Sequence, residues 1–111
     1  MKRGYKVVRK NGGQLVSSHQ GMLEYKVRVW TLPKQGEGPL CVFTNLKDAR
    51  DFAHGYGYLR IYRCSYEPSD SYLVWRKSTW DDIIKGNLRD LPEGKALASM
   101  VKITSRVRKA K

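Results

Sequence analysis

The chain has 111 residues, and its 22 lysines and arginines against 10 aspartates and glutamates leave a formal net charge of +12. That length predicts a single domain, and a hydrophobic fraction of 41% argues against wholesale disorder. So large a positive excess is costly by self-repulsion unless an anionic partner makes use of it. Nucleic acid, a nucleotide, an acidic protein surface and anionic lipid are the candidate partners. No apolar run approaches the ~20 residues of a membrane span and no signal peptide is evident, which predicts a cytoplasmic protein, in a host's cytoplasm if a virus encodes it.

The two cysteines, Cys41 and Cys64, both lie among apolar neighbours in predicted strands. Buried thiols behave as small hydrophobes, and two of them do not make a zinc site. We expect free thiols in a reducing compartment, although adjacent strands would let them pair. The sequence predicts neither a metal nor a cofactor.

The first third of the chain predicts strands. Tyr5–Lys10 and Gln14–Ser18 flank Asn11-Gly12-Gly13 and predict a hairpin after a short basic lead-in. Leu23–Thr31 alternates, which predicts one strand with Leu23, Tyr25, Val27 and Val29 facing the core and a basic face in water. An exposed loop over Lys34–Pro39 then leads to Leu40–Phe43, a short and fully buried strand.

The middle of the chain predicts two helices. Asn45 caps a helix over Leu46–His54, and Gly55 ends it. Strands follow at Tyr58–Tyr66 and Tyr72–Lys77, and a second short helix is predicted over Trp80–Lys85, ended by Gly86.

The C-terminal segment is ambiguous. Asn87–Gly94 predicts a loop, Lys95–Met100 fits a helical turn as well as a strand, and the alternation from Val101 to Val107 favours a final strand. The fold class predicted is α+β: a small antiparallel-rich sheet of about six or seven strands with two short helices, in a single basic domain over residues 1–111. Residues 1–4 and 106–111 are predicted to be flexible basic ends.

The strand Tyr58–Tyr66 carries the pattern most suggestive of binding. Tyr58, Arg60, Tyr62, Cys64 and Tyr66 share one face, and the opposite face begins with Leu59 and Ile61 and predicts core. Tyrosines flanking an arginine on an open face would stack on bases, whereas the same tyrosines packing across strands would be structural.

The stretch His54–Tyr62, HGYGYLRIY, resembles the longer ribonucleoprotein motif of RNA-recognition domains, matching it from Gly55 to Arg60. His54 stands in place of the motif's cation and Ile61 in place of its last aromatic residue, and Cys41–Leu46 is similar to the family's shorter motif. The resemblance implies aromatic side chains on a sheet face that stack on RNA bases.

Basic residues recur near both chain ends and on the predicted strand Leu23–Thr31. If the N-terminal hairpin and the final strand are neighbours, these residues form a stripe for phosphate, with Lys26, Arg28, Arg106 and Arg108 as the chosen contacts; the alternative is a solvated charged face.

Few features predict catalysis. Neither histidine lies in a nucleophile motif, and the glycines match no phosphate loop. The strand, the Ala49-x-x-Phe52-Ala53 segment and the next strand resemble the middle of small ADP-ribosyltransferase domains, which implies roles for Arg9, for Ser17 or Ser18, and for Glu67 as the catalytic acid.

The sequence therefore predicts a small non-enzymatic accessory protein that binds nucleic acid or a nucleotide-like polyanion through Tyr58, Arg60, Tyr62 and Tyr66 and a basic face. Its compact, highly charged format is similar to that of phage and viral accessory proteins. One alternative is a protein-interaction module or viral antagonist of a host factor, anchored by Trp30, Trp75 and Trp80. The ADP-ribosyltransferase-like domain is the other.

Overall fold

A computed structural model describes residues 1–17, 23–33, 39–69, 73–77, 83–87 and 94–107. The one helix in these ranges is α1 (Leu46–Ala53). The strands are β1 (Lys2–Asn11), β2 (Gln14–Ser17), β3 (Glu24–Tyr25), β4 (Trp30–Thr31), β5 (Leu40–Phe43), β6 (Leu59–Pro68), β7 (Leu73–Lys77), β8 (Ile83–Asn87) and β9 (Lys95–Arg106).

Four strands close into a barrel. β1 pairs with β5 and β6, and β9 pairs with the same two strands, all antiparallel. Three short strands extend this barrel outward: β2 from β1, β3 from β2, and β4 from β9. The predicted α+β class is therefore wrong, because strands make up 60% of the structure and the described residues contain one helix of seven or more residues.

The predicted second helix over Trp80–Lys85 is wrong where the structure describes it. Ile83–Lys85 lie in β8, which pairs antiparallel with β7 in a separate two-stranded sheet. Consecutive β-branched isoleucines favour a strand once a partner is available. Trp80 lies outside the described residues. The predicted strand over Tyr72–Lys77 is confirmed from Leu73 to Lys77, as β7, and Tyr72 also lies outside the described residues.

The predicted long strand Leu23–Thr31 is also wrong. The chain turns at Val27-Arg28 between β3 and β4, with Arg28 at φ 66°. Tyr25 is buried as predicted, but Val27 and Val29 are 43% and 51% exposed. The turn interrupts the alternation, so these two valines never reach the core face.

Local signals predict the hairpin and the first helix correctly. Gly12 and Gly13 connect β1 to β2, with Gly12 at φ 61°. Asn45 caps α1 by accepting a 2.9 Å hydrogen bond from the Asp48 amide. Gly55, at φ 82°, follows the helix C-cap and turns the chain away.

The buried residues form two clusters on opposite faces of the barrel wall. The barrel core takes its side chains from all four barrel strands and from β3: Val8, Tyr25, Leu40, Val42, Cys64, Tyr66, Ala98, Val101 and Ile103. The second cluster lies between α1 and the outer face of the barrel, where Val7 and Phe43 meet Ala49. Adjacent residues such as Val7 and Val8 therefore point to different cores, as strand geometry requires.

The ambiguous C-terminal segment is one continuous strand of 12 residues with two bulges. Its register against β6 skips Ser99 and Thr104, and each skipped residue donates its hydroxyl to a β6 carbonyl, that of Glu67 at 3.3 Å and that of Arg63 at 3.1 Å. A bulge bends a strand and increases its twist, which a barrel of so few strands needs in order to close.

The two cysteines are buried free thiols.

Candidate functional site

A cleft of about 530 Å³ lies where the end of α1, the following loop and two barrel strands meet. Its described lining is Arg50, Ala53, His54, Gly55, Tyr56, Gly57, Leu59, Arg60, Ile61, Arg106 and Val107. We call this the arginine cleft. Its volume and its mixture of apolar and polar lining residues resemble those of ligand sites, which typically enclose about 300–1,000 Å³.

The loop on one side of the cleft is held by backbone hydrogen bonds. The Tyr56 amide donates to the Ala53 carbonyl and the Leu59 amide to the Tyr56 carbonyl, each at 3.1 Å. The Lys10 amide donates to the Tyr58 carbonyl at 2.9 Å and ties the loop to β1. The loop therefore presents its side chains from a defined backbone.

Three arginines reach the cleft from three different elements: Arg50 from the last turn of α1, Arg60 from β6 and Arg106 from the end of β9. The described lining contains no carboxylate. The ion pairs seen among the described residues, Met1 with Glu67 and Lys47 with Asp51, leave all three arginines out. The cleft is consequently a concentration of positive charge that no carboxylate of the described residues neutralises by an ion pair.

Arg60 is oriented by its own loop. Its Nη1 atom donates to the Gly57 carbonyl and, at 3.1 Å, to the Leu59 carbonyl. A guanidinium group has five N–H donors in a rigid fork, so these two contacts leave others for a ligand. The group is thus positioned before a ligand arrives, which reduces the entropy lost on binding.

Two tyrosines lie at the loop beside the cleft. Tyr56 and Tyr58 are each 52% exposed, and their ring centroids are 5.7 Å apart in an edge-to-face arrangement at 62°. Tyr56 lines the cleft itself. In such an arrangement a nucleobase can stack on an exposed aromatic ring while its phosphate binds the neighbouring arginines.

The predicted tyrosine face of β6 is only partly open. Tyr58 is exposed and Tyr62 packs partly buried against the barrel core, but Tyr66 is 4% exposed inside the barrel. The prediction that this face meets solvent or a cleft is therefore wrong at Tyr66, which has no ring surface for stacking. The reason is barrel closure: α1 covers one face of β6 and the barrel interior takes the other.

The other predicted contacts lie apart from one another. Arg106 joins Arg60 in the cleft, whereas Lys26 and Arg28 are exposed on the turn between β3 and β4 and are not part of the described lining. Arg108 lies outside the described residues. The condition for a continuous basic stripe, that the hairpin and the final strand are neighbours, is not met, because β5 and β6 separate β1 from β9.

Sequence reasoning missed Arg50, His54 and Tyr56. Arg50 and His54 are four residues apart, the spacing that brings two side chains to the same face of a helix, and both line the cleft. Tyr56 belongs to the HGYGYLRIY stretch, but it lies in the loop before β6. The helical spacing and the motif were therefore the available signals.

The residues matched to ADP-ribosyltransferases do not converge. Arg9 pairs with Leu59 at one end of β6, and Glu67 lies eight residues further along that strand, roughly 26 Å away at about 3.3 Å per residue. Glu67 is 3.7 Å from the N-terminal ammonium group. Burial raises the pKa of the Cys64 thiol to about 12, so this thiol is not a ready nucleophile either.

No protein-family model matches the chain, and no curated protein or solved structure is similar enough to count as a match. Within the described ranges, the search for a membrane-spanning helix finds none that is long and apolar enough. In the same ranges no three His, Cys, Asp or Glu side chains group as metal ligands would.

Proposed function

We propose that the protein binds single-stranded nucleic acid, or a nucleotide-like polyanion, in the arginine cleft. The observation that carries the proposal is the approach of Arg50, Arg60 and Arg106 to one cleft with no carboxylate in its described lining. Arginine suits phosphate because its planar fork makes two parallel charge-assisted hydrogen bonds. The C-terminal end of α1 carries about half a negative charge from the helix dipole, which repels an anion. The positive charge of three arginines outweighs this repulsion.

The dimensions of the site favour a single strand over a duplex. A cleft of about 530 Å³ is in the range of small-ligand pockets and takes a nucleotide unit. Tyr56 and Tyr58 offer ring faces at its edge, and stacking on such rings contributes about 1–3 kcal/mol per base. Paired bases do not expose their faces, so a duplex would use only the positive charge.

The test is fluorescence anisotropy of labelled single- and double-stranded DNA and RNA, titrated with protein at several salt concentrations. We expect submicromolar binding to single strands, with a salt slope of about −0.7 per phosphate contact. Arg106→Gln removes one contact, which should weaken binding about 10-fold or more, since hydrogen bonds to charged groups contribute ~1.5–3 kcal/mol.

Arg3→Gln is the matched control, because it removes the same charge from an exposed arginine outside the cleft. Arg3 pairs with Ser65, five residues along β6 from Arg60 and about 16 Å away. If Arg3→Gln and Arg106→Gln weaken binding equally, attraction is by net charge alone and the cleft is not the site. If the cleft is the site, Tyr56→Ala with Tyr58→Ala should reduce single-strand binding while leaving duplex binding unchanged.

A second candidate is a protein-interaction surface on the turn from Val27 to Leu32. Val27, Val29 and Leu32 are 43%, 51% and 60% exposed beside the partly buried Trp30. The Lys102 ammonium lies 5.0 Å from the Trp30 ring centre, so a cation flanks this apolar surface. A stoichiometric complex that tolerates high salt and is lost in Val29→Asp would favour this function over nucleic-acid binding.

A further inference from the structure

The arginine cleft concentrates more positive charge than one internal phosphate of a strand requires. An internal phosphodiester carries a single negative charge, whereas a phosphate monoester carries about −1.5 to −2 at pH 7 and has three terminal acceptor oxygens. Three arginines, one each from α1, β6 and β9, line the cleft. Arginines on different elements can contact different oxygens of one phosphate. A nucleic-acid strand that lies across a flat basic face does not need this arrangement.

The lining is also suited to the rest of one nucleotide. Ala53, Leu59, Ile61 and Val107 supply apolar surface between the arginines, and Tyr56 supplies an exposed ring. Apolar walls with a few placed polar groups are typical of sites that enclose a small ligand. A long single strand is bound instead along an open basic groove, several nucleotides at a time.

We infer that the arginine cleft recognises a nucleoside phosphomonoester, presented either as the phosphorylated end of a single strand or as a free nucleotide. The phosphate lies among Arg50, Arg60 and Arg106, and the base lies against Tyr56. This inference rests on the proposed function for the identity of the anion, and it adds that the cleft distinguishes a terminal phosphate from an internal one.

The experiment compares labelled single-stranded 10-mers of one sequence that carry a phosphate or a hydroxyl at the 5′ end, and the same pair for the 3′ end. Unlabelled adenosine monophosphate, adenosine and inorganic phosphate are added as competitors. We expect the oligonucleotide phosphorylated at the recognised end to bind at least 10-fold more tightly than its hydroxyl counterpart. Adenosine monophosphate should compete and adenosine should not.

Variants connect this preference to the cleft. Arg106→Gln should abolish the difference between phosphorylated and hydroxyl ends, whereas Arg3→Gln should preserve it. Arg106 is exposed at the end of β9, so its substitution should leave the melting temperature unchanged. Arg60→Lys is the second variant, because it keeps the charge and removes the fork, and it should also reduce the preference.

The outcomes separate this inference from the proposed function. Equal binding of phosphorylated and hydroxyl oligonucleotides would overturn the inference and leave single-strand binding standing. Direct binding of adenosine monophosphate, measured by isothermal titration calorimetry, with no binding of any oligonucleotide would support the inference and overturn the proposal for nucleic acid. Binding of neither would overturn both.

Discussion

The Lys6 ammonium group donates a 2.6 Å hydrogen bond to the Cys41 carbonyl across the closed barrel. Lys6 is 1% exposed, and its Nζ atom lies 5.1 Å from the centre of the Tyr25 ring. Among the described residues, no carboxylate forms an ion pair with it. Lys6, a basic residue of the predicted strand Tyr5–Lys10, is therefore a cation inside the barrel.

Lys6→Met should be neutral or should raise the free energy of unfolding by about 1–2 kcal/mol. Methionine keeps the length of the side chain and removes a buried charge, whose desolvation costs several kcal/mol even in a hydrogen-bonded site. Lys6→Ala should instead cost about 2–4 kcal/mol through the cavity it leaves. Urea unfolding of both variants checks this, and a loss above about 2 kcal/mol in Lys6→Met would show that the ammonium group stabilises the barrel.

Gly4→Ala should destabilise the barrel where β1 meets β5. A Cβ atom at Gly4 would lie 2.7 Å from the Phe43 carbonyl oxygen and 3.0 Å from the Tyr66 ring. Phe43 is the β5 residue whose pairing with Tyr5 joins β1 to β5. Moving a buried backbone typically costs ~1–3 kcal/mol, which urea unfolding would detect.

Gly13→Ala is the control for Gly4→Ala, because a Cβ atom at Gly13 would have no neighbour within 4 Å. Its backbone φ is not positive, so alanine is tolerated there. We expect a change within about 0.5 kcal/mol. Equal losses in the two variants would show that the close approach at Gly4 is not the cause.

Lys95 should make stability rise with pH above about pH 8. Its ammonium group lies 5.1 Å and 4.7 Å from the ring centres of Phe43 and Phe52, and burial lowers its pKa from 10.5 to about 8. Between these values the unfolded chain binds more protons than the folded chain, so the free energy of unfolding increases with pH. We expect a gain of about 1–2 kcal/mol, because solvent screens a half-buried group and both rings favour the cation.

The difference in unfolding free energy between wild type and Lys95→Met at pH 8.0, 8.5 and 9.0 isolates this contribution of Lys95, since thiols with an ordinary pKa of about 8.5 ionise over the same range in both proteins. Lys95→Met should remove the rise. If Lys95→Met retains the full pH dependence, another group causes the rise in stability.

Cys64 should have the opposite effect at higher pH. Burial raises its pKa from 9.0 to about 12, so between these values the folded chain retains a proton that the unfolded chain loses. Stability attributable to Cys64 therefore falls by about 1.4 kcal/mol per pH unit in this window. The difference in unfolding free energy between wild type and Cys64→Ala should shrink from pH 9 to pH 11, and a constant difference would contradict this.

Interactions between residues close in sequence determined the parts of the fold that were predicted correctly. Asn45 and Gly55 limit α1 through hydrogen bonding and a positive φ, and Gly12 with Gly13 turns β1 into β2. These preferences need only a few residues of chain, so the sequence alone is sufficient for them.

Tertiary structure decided which of those segments meet. Strand alternation shows that Tyr62 and Tyr66 share a face, but only barrel closure shows that this face is interior. The bulge at Thr104 sets the register of the end of β9, where Arg106 pairs with Tyr62 and reaches the cleft beside Arg60. Closure and register arise from contacts between residues far apart in the chain, and the free energy of such contacts cannot be read from a local sequence pattern. The sequence therefore predicted that arginines bind an anion, and the fold decided which three arginines line one cleft.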